Sequence, residues 1–243
     1  MSSNIILITG GNTGLGLEIA RALCQSSKSY KILLAGRSLE KATAATEKLA
    51  SKQLNGSTTV EPIQLDVEDD ESINSAFKFV EEQFGRLDVL VNNAGANFDR
   101  ELYLGKVSLR EAWNKSWAVN TVGSHVVSSV FTPLLLKSAD PRLIFIASGT
   151  ATLHGQTKEE RSAKTGMNMM MREWARVLKE DKVKVCAVSP GLLATGLGGD
   201  QELLRQMGAI DPQIGAELVT SVIEGERDTD MGLVINMAGV QPW

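Results

Sequence analysis

Short apolar runs alternate with longer stretches of helical periodicity along the whole chain. Seven runs predict buried strands, at residues 5–8, 31–35, 59–65, 87–91, 143–147, 183–188 and 233–235. The intervening stretches repeat apolar residues every three or four positions and predict helices, at residues 17–23, 38–53, 73–84, 108–138, 158–180, 201–207 and 212–224. Most strand runs are solidly apolar rather than alternating, as a parallel sheet covered on both faces requires. The pattern therefore predicts an α/β fold with a doubly wound sheet in three α/β/α layers.

The chain is organised as one predicted domain, spanning residues 1–243. Neither a repeat nor a linker rich in Pro, Gly and Ser divides it. Pro62 interrupts the third strand and cannot donate a backbone hydrogen bond, so we expect this strand at a sheet edge. In such a fold the ligand binds beyond the carboxyl ends of the strands, beside the first strand, where the strand order reverses.

Composition narrows the class of protein. The 243 residues are 43% hydrophobic and 22% charged, with a net charge of −4 and no block of like charge, which argues against a nucleic-acid-binding surface. Cys24 and Cys186 lie in apolar elements and are expected to be free thiols, with no metal site. The first strand begins at the N-terminus, leaving no room for a signal peptide, and no apolar run approaches a membrane span. We therefore expect a soluble cytoplasmic protein without a membrane partner.

A glycine-rich turn at residues 9–16, Thr-Gly-Gly-Asn-Thr-Gly-Leu-Gly, lies between the first strand and the first helix. Glycines there let the backbone approach a pyrophosphate, and the helix N-terminus offers unpaired N–H groups to it. A glycine-rich octet can also be an ordinary surface loop, but the strand–turn–helix context favours nucleotide binding. The predicted contacts come from Gly10, Asn12, Thr13, Gly14, Leu15 and Gly16.

The second strand ends in Ala-Gly-Arg37-Ser38, without the acidic residue that would bind the adenosine ribose hydroxyls. Arg37 is placed to meet a 2′-phosphate instead, with Ser38 as a second donor, which favours NADP(H) over NAD(H). The alternative is a solvated arginine at the start of a helix.

Polar or small residues also follow the third and fourth strands. Asp66 and Val67 close the third strand, and Asn92-Asn93-Ala94-Gly95 closes the fourth. These positions suit a bound nucleotide, although Asp66 could be a helix cap and the asparagines could form a turn.

Together these motifs resemble the classical short-chain dehydrogenase/reductase family. The match continues through Asn120, Ser148, Lys164 and Pro190-Gly191, and the Ala35-Gly36-Arg37 pattern and the C-terminus look most like fungal members. The resemblance implies a seven-stranded parallel Rossmann-type sheet. It also implies adenine contacts from Asp66 and Val67, backbone contacts from Asn93, Ala94 and Gly95, nicotinamide contacts from Pro190, Gly191 and Thr195, and a ribose contact from Lys164.

The family's reaction uses an asparagine that holds a water, a serine that orients a carbonyl, a tyrosine that transfers a proton, and a lysine that lowers the tyrosine pKa. By resemblance Asn120, Ser148 and Lys164 match three of these groups. The tyrosine position, four residues before Lys164, is occupied by Glu160. The implied catalytic set is therefore an atypical tetrad.

Glu160 does not inherit the tyrosine role automatically. It shares a helical face with Lys164, so the two could form an ordinary surface pair. A carboxyl titrates near pKa ~4.3, and a nearby ammonium lowers that pKa, so the group would be ionised at neutral pH and unable to protonate an alkoxide. Glutamate is also shorter than tyrosine, so it would need a bridging water to reach the same position.

Three outcomes stay open. Carbonyl–alcohol redox chemistry could survive, with Ser148 and a water held by Asn120 or Lys164 handling the proton. Glu160 could instead act as a base in a non-redox isomerase, lyase or cyclase. The protein could also be a catalytically silent NADP-binding protein.

Two further residues are candidates for lining the substrate pocket. Tyr103 lies in the segment after Gly95 and could reach the site, or simply pack; His154 follows Ser148 by six residues and could be an acid/base or a polar loop residue. The resemblance also implies a homodimer or homotetramer that associates through the helices at 108–138 and 158–180, and a small-molecule substrate.

Overall fold

The computed structural model of the protein describes residues 3–51, 57–151 and 162–242. One sheet runs through this part of the chain, with the strand order β3-β2-β1-β4-β5-β6-β7-β8. The strands are β1 (Asn4–Ile8), β2 (Tyr30–Gly36), β3 (Thr59–Gln64), β4 (Val89–Asn92), β5 (Arg142–Ile146), β6 (Lys184–Val188), β7 (Val234–Asn236) and β8 (Gly239–Val240). Neighbours from β3 to β7 pair in parallel, and β8 is antiparallel to β7.

Helices connect the strands. They are α1 (Gly14–Gln25), α2 (Leu39–Ala50), α3 (Asp70–Phe84), α4 (Asp99–Tyr103), α5 (Leu109–Trp117), a π-helix (Ala118–Gly123), α6 (Ser124–Leu135), α7 (Ser162–Val177), α8 (Gln201–Gln206) and α9 (Pro212–Ile223). Single 3₁₀ turns cover Gly196–Gly198 and Asp228–Asp230. Local signals set several ends: Ser38 caps α2 through the Lys41 N–H, and Gly85 ends α3 in the left-handed region at φ 69°.

The core lies on both faces of the sheet. One hydrophobic cluster joins the sheet to α3, α6 and α7, and a second joins it to α1, α2 and α9. Ile32 and Leu33, consecutive on β2, belong to opposite clusters, which is why the strands are apolar at nearly every position. The predicted three-layer Rossmann-type arrangement is therefore confirmed.

Three details of the expected fold can be judged against the structure. Pro62 does lie on an edge strand, β3. The expected seven parallel strands are present, but the sheet has an eighth, antiparallel strand of two residues, so the purely parallel seven-stranded prediction was wrong in that respect. Cys24 and Cys186 are buried free thiols, as expected.

The helix predicted over 108–138 is interrupted. Asn120 Nδ2 donates to the Ser116 carbonyl oxygen at 2.9 Å, which is the acceptor that the Asn120 backbone N–H would use in a regular α-helix. The chain widens there into the six-residue π-helix, a feature that is frequent at functional sites. Among the described residues, no helix is long and apolar enough to cross a membrane.

Candidate active site

The glycine-rich turn lies directly against the segment after β4. Gly10 and Gly14 have φ values of 60° and 56°, in the region that favours glycine. A Cβ on Gly10 would lie 2.9 Å from Ala94 Cα, and one on Gly16 would lie 2.5 Å from Asn93 Nδ2. The close approach of the two turns therefore requires glycine at these positions.

Thr9 and Asn93 join the two turns by hydrogen bonds. Thr9 Oγ1 accepts from the backbone N–H groups of Asn93 and Ala94, both at 3.0 Å. Asn93 Nδ2 donates to the carbonyl oxygens of Thr9 at 2.8 Å and Gly10 at 3.2 Å. The sequence analysis placed Thr9 in the glycine-rich turn but did not predict this role, because its partners lie far along the chain.

The N-terminus of α1 lies at the end of the glycine-rich turn. The Thr13 side chain does not cap the helix, and the first turn carries no acidic residue. Within the described residues these backbone N–H groups therefore have no side-chain partner from the N-cap position. Such a terminus attracts phosphate through its N–H groups and its partial positive charge.

Arg37 and Ser38 lie at the carboxyl end of β2, beside this turn. Arg37 is exposed, and a Cβ on neighbouring Gly36 would lie 2.8 Å from Asn12 Oδ1, so Asn12 of the turn packs against the strand end. Ser38 Oγ accepts from the Lys41 N–H at 3.3 Å. Its O–H remains available as a donor.

The residues that follow β3 and the last residue of β4 make contacts with neighbouring elements. Asp66 Oδ1 accepts from the Glu68 N–H at 3.1 Å, while α3 is capped by Asp69, so Asp66 forms a local turn and does not cap the helix. A Cβ on Gly123 would lie 2.6 Å from the Val67 carbonyl oxygen, so Val67 lies against the π-helix. Asn92 is buried at 1% exposure and donates to Ser128 Oγ at 2.9 Å.

Asn120 lies in the π-helix, 4% exposed, and holds the segment after Gly95. Its Nδ2 donates to the Ala96 carbonyl oxygen at 2.9 Å, and its Oδ1 accepts from the Ala96 N–H at 3.2 Å. A Cβ on Gly95 would lie 3.0 Å from Asn120 Oδ1 and 3.7 Å from Lys164 Nζ. Gly95 is therefore the point at which Asn120 and Lys164 approach each other.

Lys164 reaches from α7 to the end of β5, where its Nζ donates to the Ile146 carbonyl oxygen at 2.8 Å. Burial of the ammonium lowers the pKa of Lys164 to about 8. Because burial disfavours the charged form of the amine, a polar group placed beside Lys164 would stabilise its ammonium.

Ser148 follows β5 by two residues, in the turn that begins where Lys164 binds. Its Oγ lies 2.9 Å from Thr150 Oγ1 and accepts from the Thr150 N–H at 3.3 Å. The Ala151 N–H donates to the Ser148 carbonyl oxygen at 2.9 Å, which closes the turn. Thr150 was missed by the sequence analysis, since it carries no motif of its own.

The segment after β6 completes the cleft. Gly191 adopts φ 92° after Pro190. A Cβ on Gly14 would lie 3.5 Å from Thr195 Cβ, so the segment from β6 returns to the N-terminus of α1. The structure therefore gathers the turns after β1, β4, β5 and β6 at one edge of the sheet.

Three candidate residues remain to be located. Tyr103, at the end of α4, is 89% exposed, so it does not take the packing role considered for it. Glu160 and His154 lie outside the described residues. In the described ranges 3–51, 57–151 and 162–242, no three His, Cys, Asp or Glu side chains are grouped as metal ligands would be.

Comparison with known proteins identifies the family of this chain. The family described as short chain dehydrogenase matches residues 4–203. Two fungal relatives are each 40% identical, with 98% of this chain and 97% of the relative covered: short-chain dehydrogenase/reductase eupG of Phoma sp. and short-chain dehydrogenase/reductase tropE of Talaromyces stipitatus. Among solved structures, the NADPH-bound carbonyl reductase from chicken fatty liver superposes with a TM-score of 0.81 at 25% identity, covering all of both chains. With its parallel sheet, its glycine turn and this match over most of its length, the chain belongs to the short-chain dehydrogenase/reductase family.

Proposed function

We propose that the protein is an NADP(H)-dependent oxidoreductase that interconverts a carbonyl and an alcohol on a small molecule. The observation that carries this proposal is the approach of Asn120 and Lys164 at Gly95, beside the Ser148 turn and in the cleft opened by the glycine turn. Asn120, Ser148, Glu160 and Lys164 are the proposed catalytic set.

The cleft fits a dinucleotide. The turn carries no side chain at Gly10, Gly14 or Gly16, so its backbone can approach a pyrophosphate, which the uncapped start of α1 also favours. The proposed cofactor contacts are Gly10, Asn12, Thr13, Gly14, Leu15, Gly16, Arg37, Ser38, Asp66, Val67, Asn93, Ala94, Gly95, Lys164, Pro190, Gly191 and Thr195.

The preference for NADP(H) is proposed from charge. Arg37 is exposed at the end of β2, where a carboxylate would repel a 2′-phosphate and a guanidinium attracts it. The chicken carbonyl reductase, the structure that resembles this chain at 25% identity, is described as NADPH-bound, which supports the same assignment.

The proposed chemistry divides between cofactor and chain. When bound, NADPH would supply a hydride to a carbonyl carbon, and the proton that the carbonyl oxygen then needs would come from a water held by Asn120 or Lys164. Ser148 Oγ holds that oxygen by donating a hydrogen bond to it, while it accepts hydrogen bonds from Thr150. Lys164, with its pKa lowered to about 8, binds the ribose and keeps a proton close to the site.

Glu160 is proposed to take the tyrosine position. It contributes to proton transfer only if its carboxyl is protonated or acts through a water, because an ionised carboxylate accepts protons and donates none.

A non-redox isomerase, lyase or cyclase is the second candidate function, and the glutamate at position 160 favours it. A catalytically silent NADP-binding protein is the third candidate.

The remaining assignments complete the proposal. The chain acts as one cofactor-binding domain over residues 1–243, in the cytoplasm, as a homodimer or homotetramer. Tyr103 and His154 line the pocket of its small-molecule substrate.

One assay separates the three candidates. Purified protein is mixed with NADPH or NADP⁺ and a panel of carbonyls or alcohols, and the nicotinamide absorbance is followed. Turnover that Ser148→Ala strongly reduces, to a residual rate that can still be measured, supports the oxidoreductase. Cofactor binding without turnover, in the wild type and in Glu160→Tyr alike, contradicts it. Activity that is unchanged in Glu160→Gln removes the carboxylate from proton transfer.

Cofactor preference has its own test, Arg37→Glu. Losing a charge-assisted contact and adding a repulsive charge should weaken NADPH binding about 10- to 100-fold and leave NADH binding nearly unchanged. Lys48→Glu makes a comparable charge reversal at the far end of α2 and is the control. Equal NADPH affinity in the two variants would refute the assignment to Arg37.

A further inference from the structure

The C-terminal segment reaches the turn that carries Ser148. Gln241, the residue after β8, is only 6% exposed although it lies close to the end of the chain. Its backbone N–H donates to the Val234 carbonyl oxygen at 2.8 Å, which fixes it beside β7. The backbone of Gln241 is therefore held against β7, and its side chain is directed into the fold.

The Gln241 amide nitrogen lies between two carbonyl oxygens of that turn. Nε2 is 3.3 Å from the Ser148 oxygen and 3.5 Å from the Ala151 oxygen. A primary amide carries two hydrogens on one nitrogen, so a single group can serve both acceptors. A carboxylate of the same size could serve neither, because it would place a negative charge against two carbonyl oxygens.

The opposite side of the turn is held by α7. Asn168 Nδ2 donates to the Ala151 carbonyl oxygen at 3.0 Å, and Asn168 is fully buried one helical turn after Lys164. The Ser148 turn thus has Lys164 bound at its start, through the Ile146 oxygen, and Gln241 and Asn168 bound at its end. These contacts fix the Ser148 backbone relative to the lysine.

We propose that Gln241 is a positioning residue for Ser148: its side-chain amide bridges the carbonyl oxygens of Ser148 and Ala151 and so sets the direction of the serine hydroxyl. The inference rests on the proposed function, in which Ser148 Oγ holds the substrate oxygen. It makes the C-terminal end of the chain part of the support of the site, although the cofactor cleft is formed by the turns after other strands.

Two substitutions at Gln241 test the bridge. Gln241→Glu keeps the shape and reverses the hydrogen-bonding character, and Gln241→Met keeps the approximate volume without a donor. Val240→Ala, at an adjacent residue that is 43% exposed, is the control. Thermal unfolding shows whether each variant is folded. If one of the two Gln241 variants does not fold, the other is sufficient for the test.

The kinetic readout is the split between kcat and KM. We expect kcat to fall about tenfold or more in the Gln241 variants, since small misplacements of a catalytic group are costly, while the KM for NADPH stays within about twofold. In a Ser148→Ala background the same substitutions should lower kcat no further, because they act through the serine. An equal loss in both backgrounds would overturn the proposal in favour of a general structural effect.

A second readout needs no substrate. Hydrogen exchange of the Ala151 amide, which donates to the Ser148 oxygen, should accelerate about fivefold or more in Gln241→Glu and stay unchanged in Val240→Ala. Unchanged exchange would refute the bridge. If the wild type turns over no substrate of the panel, the proposed function fails, and the exchange measurement alone decides whether Gln241 holds the turn.

Discussion

Gly16→Ala should separate the glycine turn from the segment after β4. The added Cβ would lie 2.5 Å from Asn93 Nδ2, 2.8 Å from the Gly10 carbonyl oxygen and 2.9 Å from Gly11 Cα. Two of these atoms belong to the backbone of the turn, so they cannot move aside as the end of a flexible side chain can. The methyl group must displace Asn93 and with it the bonds to Thr9 and Gly10.

Two destabilising effects and one stabilising effect determine how much Gly16→Ala changes the free energy of unfolding. Overpacking of this kind costs ~1–3 kcal/mol, and each of the two Asn93 hydrogen bonds contributes ~0.5–1.5 kcal/mol. Replacing glycine by alanine within α1 returns about 1 kcal/mol of helix propensity. The destabilising effects are therefore larger, and the free energy of unfolding should fall by about 3 kcal/mol. For a chain of this size, such a loss lowers the Tm by about 6–12 °C.

Thermal unfolding and NADPH titration measure this loss. Gly196→Ala is the control because, among the described residues other than its chain neighbours, no atom lies within 4 Å of the Cβ it would gain. We expect near wild-type stability for Gly196→Ala, and both a lower Tm and weaker NADPH binding for Gly16→Ala. In an Asn93→Ala background the cost of Gly16→Ala should shrink, because the closest contact is gone. A Gly16→Ala protein as stable as the control would refute the steric reasoning.

Two predictions concern charge and pH. Hydrogen bonds from Arg142 hold the pKa of Asp228 below its usual value, so the stability gained above the unfolded pKa of ~3.9 is lost as the pH falls through the lower folded pKa. Because the Asp228 side chain is 35% exposed, solvent screens part of this interaction, and Asp228→Asn should cost only about 1 kcal/mol at pH 7 in urea unfolding. The substitution should also flatten the acid dependence of stability, and an unchanged dependence would contradict the prediction. Lys164 has a folded pKa of about 8, against an ordinary value of ~10.4, so the folded protein binds fewer protons than the unfolded chain, and wild-type stability should rise between about pH 8 and pH 10.4. Lys164→Met should lack this rise. Urea midpoints of the two proteins that run parallel across that range would refute the prediction.

The strands were predictable because burial on both faces leaves a solid apolar run in the sequence. The predicted ranges for β1 and β5 match the structure to within one residue at each end. β8 was not predictable, since two residues carry no periodicity. The π-helix was hidden for a similar reason: over six residues, a widened turn cannot be distinguished from a regular one by the spacing of apolar side chains.

The candidate site was predictable where a motif lies within one stretch of chain. The glycine turn and the Asn92–Gly95 segment could each be read locally, whereas the bonds from Thr9 to Asn93 and from Gln241 to Ser148 join residues 84 and 93 positions apart. Such contacts depend on the tertiary fold: the sheet order places β4 beside β1, and the segment after β8 reaches the turn that follows β5. Polar residues at the ends of buried strands were the only local sign of them.

The 84 residues between Thr9 and Asn93 also bear on how the protein is made. Thr9 and Gly10 lie at the start of the chain, yet their hydrogen-bonding partners at Asn93 and Ala94 are synthesised after β2, α2, β3 and α3. At ~5–20 residues per second, the ribosome adds them several seconds after the glycine turn. During that interval the turn lacks these partners, and a nascent chain that ends before β4 cannot form the joined pair of turns. Cofactor capture by a growing chain would therefore report that β4 has docked beside β1, rather than that the glycine-rich segment has been synthesised.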